Sequence, residues 1–310
     1  MTNREFYNRF MTESQCLTHF KLIRESEGVV CKGCGSEHHY WLKAKRQFQC
    51  KACRFRTGIK QGTLLENSNL PIHKWYEAFH LVTMSKKPIS AKTLERHLNV
   101  HYETAWFTLQ KIRIALGRRN REYGLTGSVE VDECMHAVIE LSEESNAEDH
   151  HTKRGRGSNK AKILVMASFD EKTNRDGSKT KYLKSAAMEL IDDFSAKSIG
   201  EQMTKWISKH AKIYTDKYRS YHPVKEKFRN LEMKISSGIL AQLNLPIVHQ
   251  VIGNLKGDVI GIFRSVSQLH LQNYLDEFCY KLNRRFMLNA KFSGKSILEN
   301  IVLQSVKPVW

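Results

Sequence analysis

The sequence predicts an α/β fold, a mixed sheet with packed helices, preceded by a small four-cysteine ribbon and a helical module. Three observations predict it. Two CxxC pairs stand close together near the front of the chain, Cys31 with Cys34 and Cys50 with Cys53. From Pro71 to Leu116 the apolar residues recur at helical spacing. From Gly127 onward strand-like alternation comes first and helical patterns interleave later, the order expected of a sheet with helices on it. The expected division is residues 1–62 for the ribbon segment, 63–123 for the helical module and 124–310 for the α/β domain, with an insertion at about 140–160.

Composition narrows the function. Of 310 residues, 50 are Lys or Arg and 32 Asp or Glu, a formal charge of +18 that points to a polyanionic partner. Hydrophobic residues make up 41%, with 14 Phe, 11 Tyr and 5 Trp, which excludes a disordered basic tail. No apolar run approaches the roughly 20 residues of a membrane span, and Met1 to Phe10 has no signal-peptide core. A cytoplasmic protein with no membrane partner is expected. In a reducing compartment, four of seven cysteines in two close pairs suit a metal better than a disulfide framework, leaving Cys16, Cys134 and Cys279 as free thiols.

In the ribbon, Cys31-Lys32-Gly33-Cys34 and Cys50-Lys51-Ala52-Cys53 are separated by 15 residues, and each pair is spaced to grip a metal from a tight turn. Four thiolates so arranged bind structural zinc tetrahedrally; a redox role is disfavoured because there are two pairs and no βαβ pattern around either. Tyr40–Leu42 and Gln47–Gln49 read as short strands between them. Lys43, Lys45, Arg46, Lys51, Arg54, Arg56 and Lys60 crowd the second half of the ribbon, either for phosphate contact or as a solvated basic loop.

Next, Pro71 opens a helix whose Trp75, Phe79 and Val82 form a core stripe. A second helix follows Pro88, with Ser90 before it and Leu94 and Leu98 on one face; Asn99 and Val100 turn the chain; Ala105, Leu109, Ile112 and Leu116 mark a third. The second and third helices, the latter starting near His101, Tyr102 and Thr104, suit a DNA-reading helix-turn-helix, although any αα-hairpin shares the pattern. Lys111, Arg113, Arg118, Arg119 and Arg121 supply positive charge behind it, and Gly117, Gly124 and Gly127 read as a linker.

In the α/β domain Ser128–Glu133 alternates, with Val129 and Val131 on one face and Glu130 and Asp132 on the other; further strands lie at Ala161–Phe169 and near Lys181–Met188. Ser195 caps a helix bearing Ile199, Met203 and Trp206, and a short strand, Ala211–Thr215, ends in Asp216. Asp132 and Asp216 at neighbouring strand ends would bind hard divalent cations through oxygen, a pair of which activates a water or a 3′-hydroxyl and stabilises the leaving oxygen; strand-end aspartates also serve as caps and turns. Glu130 and Glu133 either support that metal or are surface acids. Ser142–Gly157 turns from acidic to basic, with Lys153, Arg154 and Arg156, and reads as an insertion whose basic end, with Lys160 and Lys162, would touch DNA. Leu271, Leu275, Phe278 and Leu282 predict a helix packed on the sheet, ending in Arg284 and Arg285 near a phosphate backbone.

The blocks CKGC and CKAC, NLPIHKWYEAFH, ISAKTLERHL with YETAW, GSVEVDE, IYTDKYRSY, and HLQNYLDEF with KLNRR resemble, in order and wording, bacterial insertion-sequence transposases of the Merlin superfamily over nearly the whole chain. The resemblance implies a zinc ribbon, a helical DNA-binding segment and an RNase H-like domain with a DDE-type site using Mg²⁺ or Mn²⁺. It further implies cleavage and strand transfer at terminal inverted repeats by at least a homodimer on double-stranded DNA, at the nucleoid. The family's first two acids fall on Asp132 and Asp216. Its third, usually Glu, stands seven residues before a motif Lys that here is Lys256, which places His249 there. Neutral imidazole is a competent ligand, and seven residues is two helical turns, so His249 and Lys256 share a face. Asn254 is the alternative third ligand. The departure from Glu keeps a second reading open, a transposase-derived DNA-binding protein without catalysis; an RNase H-like nuclease that cuts without joining is a third.

Overall fold

The computed structural model describes residues 2–136, 160–234, 243–263 and 266–285. The expected insertion from Ser142 to Gly157 lies outside the described residues. The described residues form two compact units, one from 2–85 with Ala91–Ala115, the other from Lys86–Ser90 with those described between 116 and 285.

The first unit opens with two helices that the sequence reading did not anticipate, α1 (Asn3–Phe10) and α2 (Glu13–Glu27). Each is started by a reciprocal capping box, Thr2 with Glu5 and Thr12 with Gln15, so that donors otherwise orphaned at a helix start are satisfied within the sequence TNRE or TESQ. Phe6, Phe10, Cys16 and Phe20 are buried with Trp75, Tyr76 and Phe79 of α3 (Ile72–Met84). The ribbon is a three-stranded antiparallel sheet of β1 (His39–Leu42), β2 (Gln47–Cys50) and β3 (Arg56–Gly58), the last one unforeseen. Helix α4 (Ala91–Leu98) buries Ala91, Leu94 and Leu98, and Asn99, at φ 48°, turns the chain into α5 (Tyr102–Arg121). Asparagine tolerates that left-handed conformation better than other residues with a side chain beyond Cβ.

Gly117 is no linker. It lies inside α5, where a Cβ would come within 1.9 Å of Asp276 Oδ2, so glycine is required by close packing of helix against carboxylate.

The second unit is a five-stranded sheet of β4 (Ser128–His136), β5 (Ala161–Thr173), β6 (Lys179–Ile191), β7 (Lys212–Asp216) and β8 (Leu231–Lys234), in the order β6-β5-β4-β7-β8. The first three strands are antiparallel, and β7 and β8 join parallel to β4. On one face α6 (Ala196–Trp206) and α7 (Tyr221–Val224) cover Val129, Val131 and Ile213. On the other, α8 (Pro246–Phe263) and α9 (Gln268–Arg284) bury Val248, Val251, Leu271, Leu275 and Phe278 against Ile163, Val165 and Met188. Each such apolar side chain contributes about 1.5–3 kcal/mol. The mixed sheet with helices on both faces is the α/β architecture expected. Among the described residues no helix is long and apolar enough to cross a membrane.

Candidate functional site

The four ribbon cysteines converge. Their ligand atoms all lie within 4.8 Å of one another, with Cys31 Sγ 3.4 Å from Cys53 Sγ and Cys34 Sγ 3.6 Å from Cys50 Sγ. A zinc ion bound to four sulfurs at about 2.3 Å requires sulfur separations near 3.8 Å, so the thiols fit that ion. Both halves use the same turn: the N–H of Gly35 donates to Cys31 O and that of Arg54 to Cys50 O, with φ 73° and 63°. Backbone N–H groups of Cys53 and Ala52 pull the Cys50 thiol down, while the neighbouring sulfurs push that of Cys53 up, so the four share their protons unequally and Cys50 takes the thiolate form a metal binds most readily. The Cys₄ ribbon is a structural zinc site.

The second site lies on the sheet. Pairing of Ser128, Val129 and Glu130 with Lys212, Ile213 and Tyr214, continued by two residues, sets Asp132 opposite Asp216. Both share the parity of Glu130 and Tyr214, so they face α8 rather than α6. Helix α8 brings His249 to them, its Nδ1 3.7 Å from Asp132 Oδ2. His249 Nε2 is buried without a hydrogen-bond partner, an available donor nitrogen beside carboxylates, so the residue types suit a divalent cation. The set is not closed: among the described residues only the cysteines bring three or more such ligand atoms within 4.8 Å. Asp216 Oδ1 instead accepts the N–H of Tyr218 at 3.0 Å, which ties its carboxylate to the turn after β7.

Several expectations change. Strand β4 does not end at Asp132 but runs on to His136 against β5, so Asp132 sits within a strand, at the level where β7 stops. Glu130 is no surface acid: it is fully buried, and its carboxylate accepts from Lys181 Nζ at 2.8 Å and from the N–H groups of Ile247 at 2.7 Å and Val248 at 3.0 Å. Lys256 and Asn254 are exposed on α8; the Lys256 charge reaches Cys134 on β4, whose thiol burial pushes up to about 12. Tyr221 was not singled out. Its buried hydroxyl is raised well above the ordinary phenol range by burial and then by the charges of Glu133, Asp132 and Asp216, which places it behind both acids. Its place in IYTDKYRSY, five residues after Asp216, was the available signal.

The basic residues divide. Lys43, Lys45, Arg46, Lys51, Arg54 and Arg56 are exposed on the ribbon, and Arg118 on α5. Phosphate contact is corrected for Lys60, Lys111 and Arg113. Lys60 Nζ donates to the carbonyls of Ser68 and Leu70, Lys111 Nζ to those of Leu64 and Glu66, and Arg113 is 1% exposed. These cations hold the loop after the ribbon and the interior of α5. Arg119 pairs with Glu122 and Tyr123, and Arg121 with Glu189. Arg284 and Arg285 are half-buried and bond to Tyr280, Leu282 and Leu183. Lys162 donates to Asp192 O.

Comparison with known proteins agrees with this architecture. A family model described as an ISXO2-like transposase domain matches residues 124–283, and one described as a transposase zinc-ribbon domain matches residues 11–56. An uncharacterized protein in transposable element ISH50 of Halobacterium salinarum is 27% identical over 230 residues, covering 70% of this chain and 71% of that protein. Two solved structures, a pre-cleavage Mos1 transpososome and the Mos1 strand transfer complex, are each 13% identical with a TM-score of 0.30, covering 68% of this chain and 74% and 73% of those chains. These two likenesses are too distant to bear on the site. The family match spans more than half of the chain, including Asp132, Asp216 and α8: the chain belongs to the ISXO2-like transposase family.

Proposed function

We propose that this transposase binds the terminal repeats of its element and cuts and joins DNA there by metal-dependent phosphoryl transfer, with Asp132, Asp216 and His249 holding the divalent cations. The observation that carries the reading is the meeting of β4, β7 and α8, which sets His249 Nδ1 3.7 Å from the Asp132 carboxylate, leaves Nε2 of the same ring available, and puts Asp132 at the register level of Asp216. Mg²⁺ or Mn²⁺ bound there supplies activation of a water or a 3′-hydroxyl and stabilisation of the leaving oxygen. The protein's own part is positional. Asp132 and Asp216 present carboxylates on one sheet face, His249 presents an imidazole nitrogen, and Lys256, seven residues on along α8, offers an ammonium to a phosphate beside the cut. His249 is preferred to Asn254 as third ligand because it faces Asp132. The exposed ribbon cations Lys43, Lys45, Arg46, Arg54 and Arg56, with Arg118, contact the DNA backbone, and joining two ends requires at least two copies of the chain on DNA.

The test is cleavage and strand transfer on element-end oligonucleotides with Mg²⁺ or Mn²⁺. Wild type is expected to produce both products and Asp132→Ala and Asp216→Ala neither; equal activity in all three overturns the assignment. That no three such ligand atoms outside the ribbon close within 4.8 Å among the described residues, with His249 in the usual Glu position, favours a second reading, a DNA-binding protein without catalysis. It predicts salt-sensitive, zinc-dependent binding with no cutting, and metal-dependent cleavage lost in Asp132→Ala rules it out.

A further inference from the structure

Glu130 is wholly buried, and a carboxylate in that position is tolerated only where its charge is answered. Here the answer comes from two directions. Lys181 reaches in from β6 to one oxygen, its Nζ lying 4.4 Å from the centre of the Phe169 ring and 5.6 Å from that of Tyr214. The other oxygen accepts both N–H groups that follow Pro246, those of Ile247 and Val248. Proline has no N–H, so these are the first donors of α8, groups that no residue within the helix can satisfy. The negative charge also sits at the positive end of the helix dipole. The start of α8 is therefore capped from a strand more than a hundred residues earlier.

His249 is the next residue after Val248, and Asp132 is two residues after Glu130 on the same face of the same strand. One strand thus carries both the anchor of α8 and the acid that the first turn of α8 faces. We propose that Glu130 is a positioning residue: held by Lys181, it fixes the first turn of α8 and so sets where the His249 imidazole stands relative to Asp132. The proposal rests on the reading of Asp132, Asp216 and His249 as the cation site. Ligand geometry must hold to about 0.5 Å to be productive, and the anchor acts one residue from the imidazole it places.

The test separates the hydrogen-bond acceptor from the buried charge. In the full-length, zinc-loaded protein, Glu130→Gln/Lys181→Met replaces the ion pair with a neutral pair that still offers an oxygen to Ile247 and Val248. Glu130→Leu/Lys181→Met replaces it with an apolar pair that offers none. Both remove the buried charges together, so both are expected to fold even where Glu130→Gln alone, leaving Lys181 uncompensated, does not. The readouts are Mn²⁺ affinity and the electron spin echo modulation from an imidazole nitrogen bound to Mn²⁺, with His249→Ala as the reference lacking that nitrogen. Wild type and the Gln/Met pair should show the nitrogen coupling and similar affinity. The Leu/Met pair should melt within a few degrees of the Gln/Met pair yet bind Mn²⁺ about tenfold or more weakly, the usual scale for losing a group that orients a ligand, and lose the coupling. A Leu/Met pair that keeps both overturns the positioning role. If wild type binds no Mn²⁺ that Asp132→Ala abolishes, the cation-site reading itself fails, and this proposal with it.

Discussion

In the ribbon, four sulfurs come from two CxxC turns that one hairpin brings face to face, and they stand at zinc spacing. On the sheet, the proposed ligands come from β4, β7 and α8, spread from residue 132 to residue 249, and their three ligand atoms do not all lie within 4.8 Å of one another. The first centre is assembled by local chain geometry. The second depends on strand register and on a helix anchored from a distant strand. Sites of the first kind fail by losing their metal, and those of the second by losing their geometry.

The largest expected effect separates the two. Cys50→Ser should lose the zinc and, with it, folding free energy on the order of 10 kcal/mol, seen as loss of metal by elemental analysis and of the cooperative unfolding of the ribbon unit. Asp132→Asn should keep its zinc. One zinc per chain in Cys50→Ser breaks the comparison. Next, Asp216→Asn should lower cleavage by about a thousandfold, roughly 4 kcal/mol of transition-state stabilisation, with end binding measured by gel shift unchanged; lost binding would join the two regions functionally.

A smaller effect sharpens the contrast through pH. Burial raises the Asp276 carboxyl to about 7, against the opposing pull of Arg121. The folded state therefore holds a proton that the unfolded chain releases near pH 4. This stabilisation is full below about pH 4 and declines until about pH 7, by roughly 2–4 kcal/mol. Asp276→Asn should flatten that decline in a pH series of thermal melts, and an unchanged slope would remove Asp276 as its source. The smallest effect is Lys111→Met in the ribbon unit. It leaves the carbonyls of Leu64 and Glu66 without this donor and should cost about 1–2 kcal/mol in chemical denaturation while leaving zinc content unchanged.

What could be read in advance follows the same division. The zinc site, helices α3 to α5 and the strands β4 to β7 are written in local spacing and periodicity, and resemblance to a family supplied the roles of Asp132 and Asp216. Helices α1 and α2 were also legible, through the boxes that begin at Thr2 and Thr12, but their mixed polarity hid them. Three things were not local. The short strands β3 and β8 carry too few residues for periodicity. The burial of Lys111 and Arg113 and the inward turn of the Lys60 ammonium depend on carbonyls and packing that charge counting cannot see. The role of Glu130 exists only once α8 has folded back onto β4.

The inward-turned cations bear on how this protein would respond to salt. Lys111, Arg113 and Lys281 are counted in the charge of +18 yet are buried, Lys281 beside the buried Glu277, and half-buried Lys60 and Lys181 turn their ammonium groups inward to carbonyls and to Glu130. Counterions are released from DNA only by cations that reach its phosphates, at about 0.9 per contact. Six contacts from Lys43, Lys45, Arg46, Arg54, Arg56 and Arg118 would give a logarithmic salt slope of about −5.4, well short of what the net charge suggests. Binding so tuned would weaken by about a thousandfold between 50 and 200 mM salt.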